Sequence, residues 1–84
     1  MTLTDAAVRA AKPRAKPYKL WDTGSLFLLV QSTGGKLWRY NYRFGGKRKT
    51  LSIGRYPNVS LAVARERRED ARRLISAGTD PSQE

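Results

Sequence analysis

The sequence predicts an α+β domain: a three- to four-stranded antiparallel sheet packed on one long C-terminal helix, with a short N-terminal helix before it. Three observations lead there. The stretch KLWRYNYRFGGKRKTLSIGRYP, residues 36–57, places an aromatic at every second position and then turns on two glycines. From Ser60, apolar residues recur at helical spacing until Gly78. The opening LTDAAVRAAKP reads as a brief alanine-rich helix halted by Pro13.

In chain order, Thr4 is the N-cap of the first helix and Asp5 sits at its positive end. About two turns is too short to be stable alone, so this helix must dock on the rest of the domain. KPRAKPYK is a basic, proline-punctuated connector, read as a solvated linker. KLWD suits a short edge strand, and SLFLLVQS suits a buried one with Leu26, Leu28 and Val30 on one face. Gly45-Gly46 between alternating runs is a hairpin signal, because both central residues of a primed two-residue turn need positive φ. Ser60 caps the long helix, and Gly78 stops it. Leu61, Ala64, Ala71 and Ile75 share one helical face, widened by Val63 and Leu74. Arg67 and Arg68 interrupt that face, with stems along the core and heads in water. Glu69 and Arg73 stand at i,i+4 in the favourable order. GTDPSQE reads as a polar tail without a closing element, as if cut from a longer protein whose single N-terminal domain is 1–84.

A two-residue turn also sets the register. Phe44 faces Lys47, Tyr42 faces Lys49, Tyr40 faces Leu51 and Trp38 faces Ile53, all beneath the long helix, with both lysines near enough to the turn to reach solvent. The opposite face then opposes Arg43 to Arg48, Asn41 to Thr50 and Arg39 to Ser52. Like charges directly opposite each other are destabilising, and a row of phosphates removes that penalty. Arg, Asn, Thr and Ser are also the side chains that reach base edges and phosphate oxygens, and a two-stranded ribbon fits a B-form major groove. Phe27, Leu29 and Leu37 share this outer face, where they can meet thymine methyls, sugars or another protein segment.

Composition agrees. Seventeen Lys and Arg against seven Asp and Glu give a net charge of +10, the signature of a polyanionic partner. No acid lies between Asp22 and Glu66, a window that holds Lys36, Arg39, Arg43, Lys47, Arg48, Lys49, Arg55 and Arg65. Because the ring-bearing residues share the buried parity, a single-strand stacking platform is the weaker reading. There is no Cys and no His, which removes thiolate sites, disulfides, and the commonest general base and metal ligand. No apolar run approaches a membrane span and no signal-peptide core is present, so the default location is the cytoplasm.

The pieces LTDAAVRAAKP, KLWRYNYRF, LSIGRYPNVSLAVAR and GTDP resemble the N-terminal domain of prophage and genomic-island integrases of the tyrosine recombinase family. IGRYPNVSLAVAR, a Gly-x-Tyr-Pro turn feeding a capped helix, is the most specific of them. The resemblance implies a module that binds accessory, arm-type DNA sites ahead of core-binding and catalytic domains, with a sheet entering the major groove. Leu29 stands where the family more usually carries a basic or polar residue, and Arg68 where relatives are richer in alanine. Strand parity, and not the resemblance, nominates Arg39, Asn41, Arg43, Arg48, Thr50 and Ser52 as DNA-binding residues, and Lys47, a cation beside the turn, is taken with them.

Catalytic residues, metal ligands and cofactors are not expected. The family's chemistry needs a tyrosine nucleophile among arginines and a histidine. Here Tyr40 and Tyr42 belong to the core set, while Tyr18 and Tyr56 lie in loops without a nearby base. Double-stranded DNA is therefore the expected partner, together with other integrase domains or protomers. The competing reading is a protein-interaction or dimerisation module built on Phe27, Leu29 and Leu37.

Overall fold

The computed structural model describes residues 2–83, with Gln83 described by its backbone alone. The elements are α1 (Asp5–Ala10), β1 (Tyr18–Trp21), β2 (Leu26–Val30), β3 (Lys36–Phe44), β4 (Lys47–Tyr56), α2 (Leu61–Ser76) and a closing 3₁₀ turn (Pro81–Gln83). The four strands form one antiparallel sheet in the order β1-β2-β3-β4, so every connection is a hairpin. The domain is α+β, as the alternation and the capped helix predict.

The termini of the helices follow from their sequences. Thr4 accepts a hydrogen bond from the Ala7 N–H, and Ser60 accepts one from the Val63 N–H. At the other end of α2, Gly78 takes φ +83°, which lets the Thr79 N–H donate back to the Leu74 carbonyl at 2.8 Å. Leu61, Ala64, Arg68 and Ala71 are the buried residues of α2. The core beneath them is built by Val8, Leu26, Leu28, Val30, Trp38, Tyr40, Tyr42, Ile53 and Val59. Trp38 lies at its centre, fully buried, with its indole N–H donating to the Val59 carbonyl at 2.7 Å.

The β3–β4 hairpin carries the register expected from Phe44↔Lys47 to Arg39↔Ser52, turning on Gly45 and Gly46 at φ +59° and +77°. Beyond that point the expected Trp38–Ile53 pair is replaced by Trp38↔Gly54. Ile53 is an extra residue, a β-bulge. Both Ile53 and Gly54 face the helix: Ile53 is buried, and a Cβ added at Gly54 would overlap Val59 Cγ2. Only glycine leaves room for the chain to pass under Val59 at that position. The bulge also reverses the parity of the strand that follows, which turns Arg55 outward as the partner of Leu37.

Six further expectations are corrected. Tyr18 and Tyr56 do not lie in loops but at the ends of strands β1 and β4. Lys49 does not escape to solvent, and the C-terminal tail is not open: Asp80 is buried and ion-paired to Lys49. Asp80 Oδ1 also accepts from Tyr42 Oη at 2.6 Å and from the Ser82 N–H at 3.0 Å. The head of Arg68 does not reach water; its Nη1 donates to the Thr23 carbonyl at 2.6 Å and lies 3.6 Å from Asp22. The Glu69–Arg73 pair is absent, because Arg72 takes Glu69 and Arg73 takes Asp70, each at i,i+3. Phe27 is buried although it lies on the outer face, since the Trp21 ring covers it with centroids 4.7 Å apart.

Two buried carboxylates tie distant segments together, and both titrate low. Burial alone would raise the Asp22 carboxyl, but hydrogen bonds from Arg65, the Leu3 N–H and the Thr23 N–H outweigh it and hold the group below 3.8. The hydrogen bonds from Lys49 and then Tyr42 hold Asp80 well below the usual carboxylate range. A carboxyl whose folded pKa is depressed contributes stability that is complete above its unfolded value and disappears as pH falls through its folded value. Acid titration followed by circular dichroism therefore shows stability falling below about pH 4. The Asp80→Asn variant starts less stable at neutral pH and falls less steeply on acidification. An identical slope in the variant would mean that Asp80 does not carry the acid sensitivity.

Candidate nucleic-acid interface

Cross-strand partners share a face, so the register sorts the sheet into two surfaces. The inner surface, under α2, carries the rows Tyr18-Val30-Lys36-Tyr56 and Leu20-Leu28-Trp38-Gly54. The outer surface carries Lys19-Leu29-Leu37-Arg55, then Trp21-Phe27-Arg39-Ser52, and then the pairs Asn41-Thr50 and Arg43-Arg48. Neither helix packs on the outer surface, and no acidic side chain belongs to any of its rows.

β2 pairs with β3 only as far as Tyr40, and the last bond on that edge runs from the Asn41 N–H to the Ser25 carbonyl at 3.1 Å. Past this point residues 41–44 and 47–50 continue as a two-stranded ribbon, about 13 Å long at roughly 3.3 Å per residue. Its inner side is backed by the C-terminal segment, because Asp80 holds both Tyr42 and Lys49. Its outer side is open.

The nominated residues fall into three groups. Arg43, Arg48, Thr50 and Ser52 are exposed on the outer surface, and Arg39 and Asn41 are half-buried there. Lys47 is exposed at the tip, but it pairs with Phe44 and so belongs to the inner parity. Thr50 Oγ1 donates to Asn41 Oδ1 at 2.8 Å. That bond occupies the amide oxygen and leaves the Asn41 NH₂ as an outward donor, suited to a phosphate oxygen or a purine N7. Arg39 Nε is buried without a hydrogen-bond partner in the free domain.

Ion pairing separates the cations of the sequence into two populations. Arg65 donates to Asp22 through Nε and Nη2 at 2.9 and 3.0 Å and to the Leu3 carbonyl at 2.9 Å. Lys36 reaches past the sheet to the Val8 carbonyl at 2.8 Å, at the end of α1. Arg67 donates to the Ile53 carbonyl at 2.9 Å. Arg68, Arg72 and Arg73 are paired with acids, as is Lys49. The acid-free window thus overstates the free charge: Lys36, Lys49 and Arg65 serve the fold. Arg39, Arg43, Arg48 and Arg55 make no ion pair among the described residues and all lie on the outer surface.

Sequence reasoning missed two features of this surface. Arg55 reaches it only through the bulge, and the signal for that was Gly54 inside an alternating strand. Trp21, 47% exposed and the most exposed large apolar side chain described, sits on the edge strand β1 with Lys19 Nζ 5.6 Å from its ring centre. The alternation of YKLW carried that signal, but without the β1–β2 register its face was undetermined. Among the described residues no cluster of three or more potential metal ligands occurs, and no helix is long and apolar enough to cross a membrane.

The model of a family described as "Arm DNA-binding domain" matches residues 3–84. The integrase of Shigella phage Sf6 is 44% identical over 79 residues, covering 94% of this chain and 20% of the relative. The prophage integrase IntS of Escherichia coli K12 matches to the same extent, and the integrase of Enterobacteria phage P4 is 42% identical over 83 residues. The chain spans about a fifth of the length of these relatives.

Proposed function

We propose that this chain, which belongs to the arm DNA-binding domain family and is a DNA-binding module of a phage-type integrase, grips duplex DNA with the outer surface of its sheet. In this reading residues 1–84 form the single N-terminal domain of a tyrosine-type site-specific recombinase. The module anchors accessory sites while other domains of the recombinase cut and rejoin DNA. One observation carries the assignment of the face. Arg39, Arg43, Arg48 and Arg55, four arginines without acidic partners among the described residues, gather on the outer surface, while Arg65, Arg68, Arg72 and Arg73 of α2 pair with acids on the opposite side.

The chemistry follows from the rows. Arg43 and Arg48 oppose each other across the ribbon and repel in the free domain. Phosphates on either side of the groove relieve that repulsion, so part of the binding free energy comes from a strain built into the unbound ribbon. Arg39, Asn41, Thr50 and Ser52 present donors and acceptors nearer the sheet centre, at the level of base edges. Lys47, at the tip, approaches the backbone from the turn.

Salt titration tests the reading. If about five phosphates are neutralised, affinity falls on the order of 500-fold between 50 and 200 mM salt. A flat response would remove the proposal. Arg48→Glu makes a sharper distinction. It turns the cross-strand repulsion into an attraction worth about 0.2–1 kcal/mol and raises stability to urea, while DNA affinity drops. Parallel changes in stability and affinity would argue against a ribbon strained for DNA.

A further inference from the structure

We infer that the other end of the outer surface is a thymine-reading strip: Leu29, Leu37 and Trp21 meet the C5-methyl groups of A·T pairs in the major groove, with Lys19 and Arg55 on the flanking phosphates. The inference rests on the DNA reading above and adds a base preference to it.

One row of the sheet lays out the strip. Lys19, Leu29, Leu37 and Arg55 are consecutive cross-strand partners, so a cation stands at each edge with two leucines between. Three strand spacings of about 4.8 Å put the outer pair roughly 14 Å apart, comparable to a major groove about 12 Å wide. Both cations are exposed and neither is ion-paired among the described residues. The arrangement exists only because of the bulge at Ile53, which turns Arg55 outward; an unbroken register would point it under α2.

The apolar part of the strip is built to stay in place. Trp21 lies over Phe27 at 4.7 Å between ring centres, and Lys19 Nζ stands 5.0 Å from the Phe27 ring. Phe27 is thereby buried as a floor, and Trp21 keeps 47% of its surface open. Leu29 and Leu37 are half-buried beside it. Leu29 and Leu37 can neither donate to nor accept from a base edge, and Trp21 brings a broad apolar ring with one indole N–H. The major-groove feature that suits them is the thymine methyl, which only A·T pairs carry.

Charge selects DNA over a protein occupant. The strip is continuous with the cationic ribbon, about 20 Å further along β3 at roughly 3.3 Å per residue. A second copy of the domain would bring Lys19 and Arg55 against like charges.

The experiment selects tightly bound duplexes from a random 20-base-pair pool. The winners are then remade with deoxyuridine in place of thymidine, which deletes the methyl and keeps every phosphate and hydrogen-bonding edge. The wild-type domain is expected to lose about fourfold in affinity per contacted methyl, with the salt slope unchanged. Trp21→Ala, which uncovers Phe27 on the outer face, and Leu37→Ala, each verified as folded by thermal melting, are expected to bind thymine and uracil duplexes more nearly alike. Equal wild-type affinity for both duplexes, with salt-dependent binding retained, overturns the strip and leaves the DNA reading standing. Absence of salt-dependent binding overturns both. A dimer that persists in high salt and is broken by Trp21→Ala would assign the strip to a second copy and overturn the inference.

Discussion

Replacing Arg39 and Arg43 together by alanine lowers affinity for duplex DNA on the order of 100-fold, at about 1–3 kcal/mol per guanidinium contact. Replacing Arg72 and Arg73 removes the same formal charge from the opposite side of the domain. Those side chains are paired with Glu69 and Asp70 at 3.2 and 2.9 Å, and they stand on α2, across the sheet from its outer surface. Their loss changes affinity by less than about threefold at physiological salt. Each phosphate contact removed also lowers the salt slope by about 1. The comparison is made by fluorescence anisotropy on both double variants, with thermal melts to verify that each is folded. Equal losses from the two pairs would mean that net charge, and not a face, governs binding.

Trp38→Ala is expected to leave the domain largely unfolded. Truncating a buried Trp costs about 3–5 kcal/mol in lost burial and residual cavity. The Val59 carbonyl would also lose the indole N–H that now reaches it at 2.7 Å. At about 0.05–0.15 kcal/mol per residue, a domain of this size has on the order of 4–12 kcal/mol in total. One side chain therefore carries a large share of its stability. Trp38→Phe keeps most of the volume, loses the hydrogen bond, and falls between wild type and alanine. Urea unfolding followed by far-UV circular dichroism reads all three. A Trp38→Ala domain as stable as wild type would mean the core is centred elsewhere. Trp38→Phe also leaves Trp21 as the sole tryptophan, so its fluorescence in the folded domain reports on the outer surface directly.

Local rules account for the elements that the sequence made legible. Thr4, Ser60 and Gly78 act within one turn of where they stand, and the paired glycines at 45 and 46 demand one turn type. Period-two alternation then carries the pairing outward from that turn residue by residue, correctly for as long as neither strand gains an extra residue. It fails at Ile53. The bulge answers to Val59, which meets Gly54 only after the chain has turned through Pro57 on its way to α2. The same limit explains Lys49, Arg65 and Arg68, because their acidic partners are 31, 43 and 46 positions away and no local pattern links them.

The sequence alone determined the α+β architecture, the register of the hairpin near its turn, and the surplus of positive charge with the parity that puts Arg39, Asn41, Arg43, Arg48, Thr50 and Ser52 together. These follow from backbone preferences and alternation, which act over a few residues. Only the tertiary structure decided which cations remain free, that Arg55 joins them, and that Asp80 closes the tail over Tyr42 and Lys49. Those outcomes depend on which buried carboxylate lies within reach of which guanidinium or ammonium, and that distance is set by how the helix lies on the sheet.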